Sequence, residues 1–358
     1  MKINFASTKL AFFLIAILAI LIILSAIIPQ KDISDDRIID LKELLGDGYV
    51  VIEKLKLDEI YTSPYFFILL GFLIINMAAG NIRRFKIVYK TEKTLLKARH
   101  LGSIIFHLSL IFTLLSVILN YLYRHEVVYA LTEGQALSNS QTSYLREFSG
   151  PAFTDSNVRY QLRLVTVNES YEIEGSFTRA ADISLLPENN PVAITATVLT
   201  NHPLKWNNLE FHIGPKSGYS PELLINDATG KSLFKSFVRL ASRKIEGKTF
   251  HYDYIVIGET DIKIDITVLS DTVILDSPEY QITVHEDERL LCDTTLTDKE
   301  IIDCEDFKIS IPRLRRWCYI SAVESPFQNW IFFGFWIALA GMTIGFIPRL
   351  LENKSRRK

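Results

Sequence analysis

Four long apolar runs mark this chain, and between the third and fourth the pattern changes to period-two alternation. The runs cover about residues 10–29, 65–82, 101–123 and 327–350. Each approaches the ~20 residues that a helix rising ~1.5 Å per residue needs to cross ~30 Å of hydrocarbon. The first carries no charge, and the second is the shortest, bounded by Pro64 and by Arg83-Arg84. Alternation rich in Val, Ile, Thr and Tyr predicts half-buried strands at 157–168, 192–199, 252–258, 261–269, 280–285 and 307–311. The expected fold is a membrane protein of the α + β class. It has four transmembrane helices, with a large β-rich, sandwich-like extracytoplasmic domain (124–325) inserted between helices three and four. Residues 30–63 form an outside loop with a short amphipathic pattern at Ile38, Leu41, Leu44 and Leu45. Residues 83–99 form a cytoplasmic loop, and residues 326–358 hold the fourth helix and a tail.

Charge assigns the sides. The segment before the first run, the 83–99 loop and the tail together hold 14 bases and 2 acids. Residues 30–63 hold 5 bases and 9 acids, and residues 124–325 hold 20 and 30. The formal net charge of −2 therefore divides into +12 on one side and −14 on the other. Lysine and arginine near span ends stay cytoplasmic, so both termini are expected inside and both acidic segments outside. The apolar core of the first run is longer than the ~7–15 residues of a cleaved signal peptide, and no A-x-A site follows it. A retained anchor is expected.

One titratable residue interrupts the third run: His107. An ionisable group inside a span marks a pathway, a ligand or a partner contact, and imidazole is the commonest side-chain metal donor. A hydrogen-bonded contact with a neighbouring helix, for instance with Asn76 on the second, is the competing explanation. A proton relay would need intramembrane carboxylates, and the four runs contain none. His100 lies seven residues earlier beside Arg99, at headgroup level. His125 follows the third run and is placed to reach a cofactor at the outer surface. His202, His212, His251 and His285 fall on strand or loop positions, as structural or surface residues. Cys292, Cys304 and Cys318 all lie outside, where disulfides persist; Cys292 and Cys304 are close enough in sequence to meet. C-x-x-C and C-x-x-C-H are both absent, which disfavours dithiol exchange and covalent haem on this chain. Phosphate loops and paired-carboxylate or Ser-His-Asp arrangements are absent as well, so no catalytic residue is assigned.

Taken in order, several local patterns resemble the ResB family of cytochrome c biogenesis proteins. They are Ile28-Pro29-Gln30, Asn76 followed by Arg83-Arg84, His107, Glu133-Gly134 and Asn201-His-Pro203-Leu204. Leu209-Glu-Phe-His-Ile-Gly214, Ser217-Gly-Tyr219, Gly334, Gly341 and Pro348-Arg349 follow. Two departures are Ser25-Ala26, where that family has a glycine, and His212, where it has a glutamine. The resemblance implies a system II subunit of a haem-export and apocytochrome c haem-ligation complex in the bacterial inner (plasma) membrane. It implies that His107 is one axial ligand of haem b, shared with a larger tryptophan-rich, haem-handling membrane subunit (ResC/CcsA-like). Apocytochrome c and the lipid membrane are the other implied partners, and nucleic acid is not among them. The only tryptophans here are Trp206, Trp317, Trp330 and Trp336, so attachment chemistry is left to the partner and this chain is read as an accessory subunit. A membrane-anchored β-domain scaffold or chaperone without haem contact is the alternative.

Overall fold

The computed structural model describes residues 5–31, 35–154, 158–173, 175–245, 248–257, 262–269, 278–287, 289–297, 300–305 and 307–356. The chain divides into a helical unit (Met1–Leu122 with Pro326–Lys358) and a β unit (Tyr123–Ser325).

The helical unit holds α1 (Thr8–Ile27), α2 (Asp35–Leu45), α3 (Tyr49–Lys54), α4 (Pro64–Lys90), α5 (Thr94–Tyr123) and α6 (Gln328–Arg356). Four of these, α1, α4, α5 and α6, are long and apolar enough to cross a membrane. Ser63 caps α4 by accepting from the Phe66 N–H, and Pro64 occupies the first turn, where its missing N–H costs nothing. Both α4 and α5 extend past their apolar runs, so the 83–99 segment is mostly helix, with only residues 91–93 between them. Arginine and lysine are good helix formers, and hydropathy measures the apolar length of a helix rather than its full length.

Leu14 and Leu18 of α1 pack on Leu70 and Leu73 of α4. Between α5 and α6 the backbones meet almost directly. A Cβ on Gly341 would lie 2.6 Å from the Phe106 amide nitrogen, and one on Gly102 would run into the Gly345 backbone. Small residues allow this approach, which substitutes for the hydrophobic drive that lipid does not supply. The loop after α1 is tied down by Gln30, whose Nε2 donates to the Ile28 and Leu57 carbonyls while its Oε1 accepts from the Ile60 N–H. Asp58, almost fully buried, pairs with Lys31 at 3.1 Å and accepts from the Tyr49 hydroxyl at 2.5 Å. Burial and this carboxylate push the Tyr49 phenol up to about 12. The amphipathic expectation for this loop is met at Ile38, which is buried, and not at Leu44, which is 80% exposed.

The β unit contains β1 (His125–Thr132), β2 (Ala136–Ser138), β3 (Arg146–Ser149), β4 (Tyr160–Ile173), β5 (Ser176–Pro187) and β6 (Ile194–Leu199). Then come β7 (Leu204–Trp206), β8 (Leu209–Asp227), β9 (Ser232–Phe237), β10 (Ala241–Ile245) and β11 (Lys248–Val256). The last strands are β12 (Ile262–Leu269), β13 (Tyr280–Glu286), β14 (Arg289–Leu296), β15 (Ile301–Cys304) and β16 (Phe307–Glu324). A seven-stranded sheet is ordered β3-β1-β16-β8-β7, with β15 on β16 and β9 on β8; the others are a five-stranded meander, β10 to β14, and a four-stranded sheet, β2-β4-β5-β6. The β unit has two apolar cores. One joins Leu162, Ile183 and Val198 of the small sheet to Phe211 and Ile320. The other joins Ile264, Ile266 and Ile282 of the meander to Leu223, Ile225 and Ile309. The antiparallel β8–β16 pair runs through both, with register shifts between Ser310 and Arg313 and between Cys318 and Ile320.

A polar waist separates the cores. Glu133 accepts from the Val167 and Arg316 N–H groups, and its carbonyl takes the Arg315 guanidinium at 2.6 Å. Gly134 follows at φ +80°, a conformation that only glycine adopts at no steric cost. Gly218 leaves room for Trp317, whose Nε1 donates to the Leu240 carbonyl at 3.0 Å. All six expected strands are present, with residues 157, 258 and 261 of the expected ranges lying outside the described residues. β8 went unread because Pro215, Gly218 and Pro221 interrupt its alternation, and its pairing with β16 overrides them.

Cys292 and Cys304 form a disulfide with Cα atoms 5.8 Å apart, whereas Cys318 is a free thiol buried in the first core. Burial pushes that thiol well above its usual range, and thiolate is the reactive form. The native, non-reduced chain is therefore expected to show no fast-reacting thiol at pH 8, one after denaturation, and three after reduction; a fast native thiol in an alkylation time course would contradict this assignment. At the helix contact, Gly341→Val is expected to cost about 1–3 kcal/mol by overpacking. Gly71→Val, where a Cβ meets nothing within 4 Å, is expected to leave thermal unfolding of the full chain in detergent unchanged. Equal midpoints for the two variants would remove the close-contact explanation.

A candidate ligand site at His107

A cavity of about 670 Å³ opens inside the helical unit, within the roughly 300–1,000 Å³ range of small-molecule pockets. Its wall is mostly apolar: Ile15 from α1, Leu73 and Met77 from α4, Leu110 and Leu114 from α5, and Phe335 from α6. Polar groups collect toward one end. They are Ser7 and Thr8 at the start of α1, Asn76, Arg83 and Arg84 on α4, and His107 on α5. Asn76 does not reach His107; its Nδ2 donates to the Phe5 and Ser7 carbonyls, which fixes the chain entering α1 as part of the wall.

His107 is half-buried, and its contacts define its tautomer. Nδ1 lies 2.7 Å from the Ser103 carbonyl, one helical turn back. Arg84 Nη1 lies 2.7 Å from Nδ1 and 3.0 Å from Nε2, and also donates to the Ser103 hydroxyl at 2.9 Å. A carbonyl can only accept and a guanidinium can only donate. The Ser103 carbonyl therefore takes an Nδ1–H, and Nη1, close to both nitrogens, lies against the ring and not along the Nε2 lone pair. Metal-bound histidines hold their rings by this same device, the far N–H given to a backbone carbonyl. Among the described residues, no three His, Cys, Asp or Glu side chains converge as a metal-binding group. The site therefore lacks the donor set of a bare cation, whereas a metal that brings its own equatorial ligands, as a metalloporphyrin does, needs only the axial imidazole. His107 is the residue of this cavity that could take that place.

In the sequence Arg84 stands as a charge that fixes sidedness and as part of the Arg83-Arg84 pattern that ends the second run, and neither points to this cavity. Its place one α4 turn past Gly80, on the cavity wall, became visible once α4 was seen to continue beyond its apolar run. Asn81 on the same helix also went unread, and it is buried with neither amide atom hydrogen-bonded.

No other histidine is among the residues that line this cavity. His100 is half-buried at the start of α5 and does not line it. In the β unit, His125 lies flat on Phe153 at 4.3 Å and meets Glu147 at 3.1 Å. Its cross-strand neighbour Glu324 has its carboxyl pushed up by burial, against the opposing pull of the His125 charge. His212 meets Glu210 at 3.4 Å, and His285 approaches Asp265 at 3.9 Å. His202 is exposed at a bridge with Leu199. His251 is buried edge-on to Tyr219, and burial holds its imidazole below the usual range.

The sequence matches the model of the ResB-like family over residues 8–95 and 96–349. No curated protein matches it.

Proposed function

The chain belongs to the ResB-like family, known in cytochrome c biogenesis, and from that premise we propose that it is an accessory subunit of a membrane cytochrome c maturation complex that contributes to a haem site. In this reading His107 supplies one axial ligand to haem b, and a larger tryptophan-rich subunit supplies the other. Axial ligation is how proteins hold haem iron; the iron would bring the redox chemistry that this chain lacks, and thioether attachment at the porphyrin vinyl groups is left to the partner. The single observation that carries the reading is the cavity wall itself: apolar residues from all four long helices around an imidazole whose Nδ1–H is already committed. This chain's residues bind and orient. Ser103 fixes the ring, Asn76 holds the N-terminal segment in the wall, and Leu73, Met77, Leu110 and Leu114 exclude water from the plate.

The charge split of +12 against −14 supports placing both termini in the cytoplasm and the β unit outside a bacterial plasma membrane. An acidic outer domain would also raise encounter rates with a basic polypeptide such as an apocytochrome c, an effect that salt should weaken.

The Arg84–His107 hydrogen bond favours a second reading, in which His107 only ties α5 to α4 and the β unit acts as a haem-free scaffold. Visible spectra of the full chain co-purified with its larger partner separate the two. His107→Gly is expected to lose the low-spin haem bands and to regain them with millimolar imidazole. Bands at wild-type intensity without imidazole would leave only the scaffold.

A further inference from the structure

Between α1 and α4 the chain shows apolar side chains where a loop in water would show polar ones. Leu44, Leu45, Val50, Val51 and Leu55 are all exposed, Val51 by 58% and Leu55 by 56%. They fall on α2 and α3, which follow each other through a bend at Gly46, φ +50°. At 3.6 residues per turn, Val50, Val51, Lys54 and Leu55 share one face of α3 and its cap, opposite the buried Tyr49. Single exposed apolar residues are ordinary, whereas a grouped set marks a binding face.

Hydrogen bonds fix where this face sits. The Tyr65 hydroxyl, in the first turn of α4, donates to the carbonyl of Lys56, the residue after Leu55, at 2.9 Å. Ser25 Oγ, in the last turn of α1, lies 2.6 Å from the Tyr61 hydroxyl. Gln30 ties Ile28 to Leu57 and Ile60. α3 is therefore moored to the ends of two apolar helices. At ~1.5 Å per residue, Val51 lies about 8 Å along the chain from the Lys56 anchor. That is close to one headgroup layer, since a bilayer about 40–45 Å thick has a hydrocarbon core of ~30 Å. Tyrosines such as Tyr61 and Tyr65 are enriched at that level.

We propose that α3 and the end of α2 form an interfacial helix pair whose partner is the lipid surface. Val50, Val51 and Leu55, with Leu44 and Leu45, enter the headgroup/acyl boundary. The exposed side chains of the adjoining span ends, Ile23 and Ile27 on α1 and Ile68 on α4, continue this apolar surface. Lys42 and Lys54 are exposed, and their stems are long enough to carry the ammonium groups back to water. Residues 42–56 hold Lys42, Lys54 and Lys56 against Glu43, Asp47 and Glu53. That balance leaves apolar burial, and not attraction to anionic lipid, as the drive. The inference goes beyond the haem reading and rests on α1 and α4 spanning the membrane.

The test is a spin-label depth measurement on the full chain, without its partner. The nanodiscs are phosphatidylcholine alone, or phosphatidylcholine mixed with phosphatidylglycerol. Val51→Cys, Leu55→Cys and Phe13→Cys are labelled singly in a Cys318→Ala background that keeps the Cys292–Cys304 disulfide. Collisions with oxygen, which enters lipid, and with a nickel chelate, which stays in water, give the depth. Labels at 51 and 55 are expected about 5–10 Å into the headgroup/acyl boundary, equally in both lipids. Water-like collision rates at either position would overturn the proposal, as would insertion confined to the anionic discs. Protection from both reagents, the mark of a second copy or another protein covering the face, would overturn it too. Phe13, exposed within α1, keeps the premise separable. A label there in water would remove the span itself; one in lipid, with 51 and 55 in water, would remove only the interfacial helix.

Discussion

A polar group taken out of water must find a partner, and an unpartnered one costs about 1–3 kcal/mol, more if charged. This constraint governs both units. In the long helices it confines polar residues to local bonds: Ser109, Thr113 and Ser116 of α5 each return their hydroxyls to a carbonyl three or four residues back. It also brings His107, Arg84 and Ser103 together, because each supplies what the others lack. In the β unit it produces the waist. Two apolar cores strung on one pair of strands leave a seam where backbone N–H groups of β4 and β16 face inward, and the Glu133 carboxylate spans that seam.

The same constraint separates what the sequence showed from what it hid. Four apolar helices, a β-rich region and a histidine within the third run could all be read from residue pattern alone, since hydropathy and alternation are local. The family resemblance was legible too, in the order of short patterns from Gln30 to Pro348. What stayed hidden depends on pairing. β8 carries Pro215, Gly218 and Pro221 and looks like broken loop until β16 is set beside it. The middle of β16 carries Arg313, Arg315 and Arg316, which reads as surface; in the fold, Arg315 and Arg316 serve Glu133 and the carbonyls of the waist. Two separate cores could not be inferred from alternation, which says that a face is buried without saying against what. Gln30 and Glu133 stood in the resembling patterns as bare letters; the structure makes one the tie of a loop and the other the tie of three strands.

His107 was legible as unusual but not as engaged. Its competing explanations are ligand or interhelical contact, with Asn76 as one example of a contact. Asn76 instead holds the N-terminal segment, and the contact is Arg84, a residue that composition had already used to fix the topology. A charged group at the end of an apolar run serves two purposes at once: it anchors sidedness, and its long stem lets the head reach back along the helix toward a polar partner.

That reach changes the question posed by the site. A histidine whose nitrogens were both idle would be a ready ligand; a histidine whose nitrogens were both bonded to fixed groups would be structural. Here one bond is to backbone and the other is to a flexible side chain. The first orients the ring, and the second is made by a long side chain that has other rotamers. A contact of the second kind therefore does not argue against ligation, and the interhelical and the ligand explanations are not exclusive.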